Sequence, residues 1–457
     1  MTERYEDNKH ESSEIAVEGE EASMLEGEGG DSFSDLISQR ISMLTASFSQ
    51  GWSFQAEEAD DLEVTVQSER GRPDALDETS CSVLDQTLTL SEEPLPCQDP
   101  PAVTLNGPHA VAVLSGGISC IVIADCWGNR MLLTTREGME FCAIGKGGEG
   151  HVDGRVEETS FNGPHGLCVN SRMELFVADA YNQAVRRVSS IRINVEAKSM
   201  EDLVHADVVT IAGHGAKGHV DGPVGECKFC YPHDVLFQDM DGAEHLLVAD
   251  FDNNCIRKVF ITNGVGEHVV TWAGSNLSKP GLRDGSIKEA LFNHPGGISA
   301  DQSGENIFIA DTYNHAIRHI TRDEDRNWTV TLIAGSRSGQ SGFEDGEGES
   351  ARFNCPTGLA VVNEQEILIS DFSNSAIRLL RRVRGDWLVT TVVGKTSKDS
   401  EGRMLPESGY VDGPVDQARL NRPHGVAWDE ASRSVLIADC MNHRIRRVQH
   451  GHVSTLV

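Results

Sequence analysis

Residues 309–320 read IADTYNHAIRHI, and the chain writes nearly the same phrase four more times: VADAYNQAVRRV at 177–188, VADFDNNCIRKV at 248–259, ISDFSNSAIRLL at 369–380 and IADCMNHRIRRV at 437–448. A phrase recurring roughly every sixty to seventy residues marks a repeat architecture, so the repeat decides the fold before any single element does. Each copy places an Asp at the end of an apolar run, an Asn three residues later and an Arg seven later. The sets are Asp179/Asn182/Arg186, Asp250/Asn253/Arg257, Asp311/Asn314/Arg318, Asp371/Asn374/Arg378 and Asp439/Asn442/Arg446. A sixth, divergent copy, VIADCWGNRMLL, keeps Asp125, moves the Asn to Asn129 and has Leu132 where the Arg stands.

Upstream of each Asp lies a second phrase: NGPHAVAV, FNGPHGLCV, CYPHDVLF, NHPGGISA, NCPTGLAV and NRPHGVAW. Each sets a proline before a short β-type run, and Pro opens a strand where its missing N–H costs nothing. Between copies run VVTIAG, VVTWAG, VTLIAG or TTVVGK, then a Gly-rich loop ending in Asp-Gly at Asp153, Asp221, Asp284, Asp345 and Asp412. Each unit therefore holds four strands. One such sheet cannot bury both of its faces, whereas six packed radially leave only short edges. The expected fold is all-β, a six-bladed propeller over residues 101–457.

The A-D-x-x-N-x-x-I-R phrase, the F-N-x-P-x-G phrase and the A-G…D-G linker together resemble the NHL-repeat family over about residues 105–457. That resemblance implies the propeller fold. It leaves function open, because NHL propellers host ubiquitin-ligase substrate binders, RNA binders, scaffolds and a lyase. An Asp at a strand end and an Arg seven residues on would face each other across a hairpin as a charge-assisted pair. Asn suits the intervening turn because it tolerates left-handed φ. Asp179–Arg186, Asp250–Arg257, Asp311–Arg318, Asp371–Arg378 and Asp439–Arg446 are thus expected to be structural.

Chemistry is to be sought where the repeats differ. The residue after the opening Pro is His109, His165, His233 and His424 in four units, but Gly296 and Thr357 in the other two. The first strand of each blade lines a propeller's channel, so the four imidazoles are expected near one another at one mouth. Three imidazoles converging on one ion at ~2.0–2.1 Å form a zinc site. The resemblance adds that the peptide-amidating lyase, a six-bladed relative, takes zinc ligands from Pro-His positions of this kind and a Tyr from a similar turn, here Tyr181. A metal-dependent lyase or hydrolase is thus one reading of the His ring. A hydrogen-bonded plug of the channel is the other. Neither a G-x-S-x-G elbow nor a P-loop occurs, and the Gly-rich linkers lack the helix that a phosphate cradle needs.

Composition sets the remaining bounds. Residues 1–100 carry 25 Asp/Glu against 5 Lys/Arg, a net of −20, and the other 357 residues carry a net of −12. The first hundred residues have too little apolar content to offset chain entropy and are expected to be a mostly disordered acidic arm. Within it, DSFSDLISQRISMLTASF spaces Phe33, Leu36, Ile37, Ile41, Leu44 and Phe48 as one helical stripe. DQTLTL, residues 85–90, offers a possible extra closing strand. No apolar run is long enough to span a bilayer and no signal-type core opens the chain, so a soluble, cytoplasmic, monomeric protein is expected. The eleven cysteines fit buried, reduced thiols better than a disulfide framework, and the C-x-x-C of Cys227 and Cys230 has no second ligand pair. RRVRG at 381–385 and RIRR at 444–447 are the basic clusters, too little for a polyanion on an acidic domain. The sequence therefore reads as a non-enzymatic protein-interaction module or scaffold, with the metal-dependent enzyme as the alternative.

Overall fold

The structure is a computed structural model that describes residues 104–114, 120–189, 191–193, 204–240 and 242–457. The acidic arm, its helical stripe and the 85–90 strand lie outside the described residues. Accompanied by two short two-stranded ribbons, six antiparallel sheets follow one another along the chain, each built on a four-strand meander paired in sequence order. Their first strands are Pro108–Leu114, Pro164–Val169, Pro232–Met240, Pro295–Ala300, Pro356–Asn363 and Pro423–Asp429. These pack side by side around the axis, and the ring closes where Pro423–Asp429 meets Pro108–Leu114. The arrangement is a six-bladed β-propeller. Among the described residues there is no α-helix, and no helix is long and apolar enough to cross a membrane.

The repeated phrases meet by register. In every blade the opening Pro pairs with the blade's Asp, Pro108 with Asp125 through Pro423 with Asp439. That pairing puts the residue after Pro and the Asp-Asn turn at the same end of the sheet, on one face of the propeller. Just after each Pro the register slips. Such bulges re-aim a side chain, and the slip lies at the His positions. Each Asp-Gly linker then adds a two-residue fifth strand, such as Gly154–Arg155 on Asp207–Ala212, to the outer edge of the following blade. Among the described residues the first blade has four strands, and His452–Thr455 is the last strand of the sixth blade's meander.

Five blades share a buried charge clamp. Arg186, Arg257, Arg318, Arg378 and Arg446 are fully enclosed, each 2.7–2.8 Å from its Asp seven residues back. Each also holds the linker aspartate, Asp153, Asp221, Asp284, Asp345 or Asp412. The guanidinium further donates to two backbone carbonyls, Val152 and Ser160 in the second blade, so one side chain ties linker to sheet. In four of them it also lies over a buried phenylalanine, Phe161, Phe229, Phe292 or Phe353. Burial pushes the Asp179 and Asp250 carboxyls up to about 6, against the pull of the arginine and the hydrogen bonds they accept, and both stay ionised at neutral pH. The first blade substitutes Arg130, 3.1 Å from Asp125 and partly exposed.

The turn corrects one expectation. Asn182 and its counterparts do not take left-handed φ; they sit in a short 3-10 turn, where Nδ2 donates to the blade Asp and to a linker carbonyl. The next residue is left-handed: Asn129, Gln183, Asn254, His315, Ser375 and His443, with φ of 51–54°. Each accepts a hydrogen bond from the backbone N–H just before the next blade's Pro, from Gly163, Tyr231, His294, Cys355, Arg422 and Gly107 respectively. The His443–Gly107 bond completes this ring across the seam. The nine described cysteines are free thiols.

Candidate functional site

Four bulged positions bring His109, His165, His233 and His424 together, all buried. Ring centroids are 4.2 Å apart for His109–His165, 4.4 Å for His109–His424 and 4.0 Å for His165–His233. One ligand nitrogen from each of His109, His165 and His424 falls within 4.8 Å of the other two. His233 turns aside: its Nδ1–H donates to the Gly296 carbonyl at 2.7 Å and its ring stacks on Phe251 at 4.8 Å. His424 Nδ1–H donates to the His109 carbonyl at 3.1 Å, which leaves its Nε2 with a lone pair. The Nδ1 atoms of His109 and His165 are buried without a hydrogen-bond partner. Burial, reinforced by neighbouring imidazoles, holds His109, His165 and His233 well below 6.5, and burial lowers His424 to about 4. The four rings are therefore neutral at physiological pH, the form in which imidazole binds metal.

Beneath the histidines the inner strands press together. The next position is Ala110, Gly166, Gly297, Gly358 or Gly425 in five blades, and a Cβ on Gly297 would lie 2.0 Å from the Thr357 carbonyl oxygen. Asp234 alone carries a longer side chain there, accepting from the N–H groups of Val235 and Ile298. Burial pushes this carboxyl up to about 7. A cavity of about 160 Å³ runs down the channel along these residues.

Above the histidines lies an aromatic rim. The second residue after the blade Asp is Trp127, Tyr181, Tyr313 or Met441, each 37–44% exposed, while Phe251 and Phe372 come one residue earlier. Tyr231 bridges the set, 5.3 Å from Tyr181 and 5.4 Å from His165. Phe251 stacks on His233, and Trp127 and Phe372 stand edge-on to His109 and His424.

A model of the NHL repeat matches residues 161–187, 292–320 and 353–378. The chain carries NHL repeats. Each matched segment begins at or near the buried Phe and Pro of a blade and runs through the rim turn to its clamp, so it spans Tyr181, Tyr313 and Phe372 as well as the structural skeleton. The chain is similar to NHL repeat-containing protein 2 of Gallus gallus, 25% identical over 349 residues, which cover 71% of this chain and 44% of that protein. It is also similar to the chloroplastic protein SUPPRESSOR OF QUENCHING 1 of Arabidopsis thaliana, 27% identical over 307 residues, 53% of this chain and 27% of that one. The chain spans less than half the length of these curated relatives. Among solved structures, a putative phosphatase from Bacteroides thetaiotaomicron aligns at 14% identity with a TM-score of 0.49, over 77% of this chain and 71% of that one.

In this NHL propeller the sequence-derived histidines converge as three plus one. Tyr181 stands on the rim within reach of the ring system through Tyr231. Asp234 and the rim apart from Tyr181 were missed, though PHD against the PHG or PHA of other units signals the first. The basic clusters do not form one patch: Arg446 is buried in its clamp and Arg381 lies beside Glu366.

Proposed function

We propose that this NHL propeller is a binding module whose working face is the histidine-floored, aromatic-rimmed mouth, and that its partner is a protein. One observation carries the reading. The clamp is nearly invariant from blade to blade, whereas the rim residues of the same turns vary among Trp, Tyr, Phe and Met and stay partly exposed. Partly exposed aromatics with a polar edge are the residues that anchor protein interfaces. Partners captured by the full chain should be lost by a Trp127→Ala/Tyr181→Ala/Tyr313→Ala variant that unfolds at the wild-type temperature. Unchanged capture by that variant overturns the assignment.

A second reading is favoured by the unpartnered nitrogens. A hydrogen-bonded plug would satisfy its imidazoles, yet the Nδ1 atoms of His109 and His165 are orphaned beside His424. Orphaned buried polar atoms are costly, and a bound ion removes that cost. His109, His165 and His424 suit zinc, with the His424 Nδ1–H bond to a carbonyl as the outer-shell contact typical of metal-bound histidine. Nitrogens ~2.0–2.1 Å from a tetrahedral ion lie closer together than 4.8 Å, so binding draws the rings inward. Bound there, zinc would supply Lewis-acid chemistry at the base of the mouth. Elemental analysis of untagged protein from metal-replete medium should find about one ion per chain, lost in a His109→Asn/His165→Asn variant. Metal-free protein sinks this reading and leaves the binding face untouched.

A further inference from the structure

The propeller's other face holds a larger cavity, about 530 Å³, between the fourth and fifth blades. That is within the few hundred to ~1,000 Å³ of small-molecule sites. One wall is Phe308 stacked on His319, centroids 4.6 Å apart and planes 3° from parallel. The facing wall is Trp387, edge-on to both at 6.0 and 6.2 Å. The seam between the second and third blades shows how such space is otherwise filled. There Phe176, at the position of Phe308, stacks on Phe237 at 5.3 Å. The fifth blade offers the smaller Val361 where Phe237 would stand, five residues after the opening Pro. Val stands at that position in the first two blades as well, as Val113 and Val169, so what sets this seam apart is its aromatic walls, Phe308 with His319 and Trp387.

Its polar groups are arranged with a direction. His319 Nε2–H donates to Asn306 Oδ1 at 3.1 Å, and Asn306 Nδ2 donates to Asp301 Oδ2 at 2.6 Å. This relay fixes the proton on Nε2 and leaves Nδ1 as an acceptor with no partner among the described residues. Burial, with Arg382 nearby, lowers His319 to about 4, so it stays neutral and accepting. Opposite, Arg382 lies over Trp387 at 5.8 Å, and among the described residues its side chain donates from Nε to the Gly385 carbonyl at 3.4 Å. Arg384, on the left-handed corner of the same hairpin, has no side-chain partner among the described residues. Asp301 is occupied by Ser303 and Asn306, which leaves Glu364 as the unpartnered carboxylate on the lining. Guanidinium donors therefore exceed the acceptors beside them, and one free carboxylate disfavours highly charged anions.

We propose that this cavity binds a planar aromatic anion of low charge. Its carboxylate or phosphate is held by Arg382 and Arg384, its ring lies against Trp387, and a ring N–H or O–H donates to His319 Nδ1. Forked guanidinium donors match such oxyanions in geometry. Calorimetry on the full chain tests it, with indole-3-acetate and AMP as carboxylate and phosphate probes and indole-3-acetamide and adenosine as neutral controls. At least one anion should bind at least tenfold more tightly than its neutral control, and which one does so identifies the oxyanion. Arg382→Gln/Arg384→Gln should weaken that anion at least tenfold and leave the unfolding temperature unchanged, both side chains being exposed. Binding of neither anion, equal binding of the neutral controls, or full binding by the arginine variant overturns the proposal.

Discussion

Arg318 is enclosed yet meets two carboxylates, buried Asp311 and partly exposed Asp284, and the two do not weigh equally. Removing one partner of a buried pair strands a charge, which typically costs about 3–5 kcal/mol. Arg318→Met should therefore cost that much in urea unfolding, while Asp284→Asn, which keeps an acceptor beside solvent, should cost about 1 kcal/mol or less. Equal costs would mean that the linker aspartate matters as much as the sheet's own. The channel histidines make a pH prediction. Their folded-state pKa values lie below 6.5, so the unfolded chain binds more protons as pH falls through 6.5 and stability drops. Asp179 and Asp250, raised to about 6, act in the opposite sense between about 6 and 4. The informative quantity is thus the difference between variants. Wild type should lose up to about 1.4 kcal/mol per pH unit more than His233→Asn between pH 6.5 and 5. Parallel stability curves would show that His233 titrates normally.

The strand and its turn were the most legible elements. Pro at the strand start, Asp at the next strand's end and Arg seven residues on are local enough for spacing alone to pair them. The second carboxylate was not legible, because Asp153 lies 33 residues from Arg186 and is brought in by the linker's fifth strand. The ring of left-handed residues was misplaced by one position, since Asn182 and Gln183 are both polar and only backbone geometry separates their roles. The glycine layer of the inner strands was not legible in the sequence. It is a packing constraint: inner strands approach so closely that Gly297→Ala must displace the Thr357 carbonyl, and overpacking of that kind costs about 1–3 kcal/mol or more. Gly148→Ala, with nothing within 4 Å of the added carbon, should fall within about ±0.5 kcal/mol. Thermal unfolding of the two variants side by side checks this, and a neutral Gly297→Ala would refute the close-packed channel.

At the scale of the molecule, repetition and departure from it divide the labour. What recurs in the blades, the clamp and the left-handed bridge, holds the ring together, including the seam where Asp429 pairs with Arg136 and Gly107 bonds His443. What departs from the repeat gathers at sites: three converging imidazoles, an aspartate among glycines, an uneven aromatic rim. Convergence of the histidines followed from strand order and so was foreseeable, whereas which three converge depends on the hydrogen bond that turns His233 toward Gly296. Apart from Tyr181, which the resemblance singled out, the rim was invisible because a Tyr or Trp in one turn is unremarkable until six turns are set in a circle. A photo-crosslinking amino acid placed in cells at Tyr181 or Tyr313 on the rim, and at exposed Asp325 on the opposite face, addresses the central claim most directly. The account predicts discrete protein adducts from the two rim positions and none from Asp325. Adducts from Asp325 alone, or none from either rim position, would contradict it.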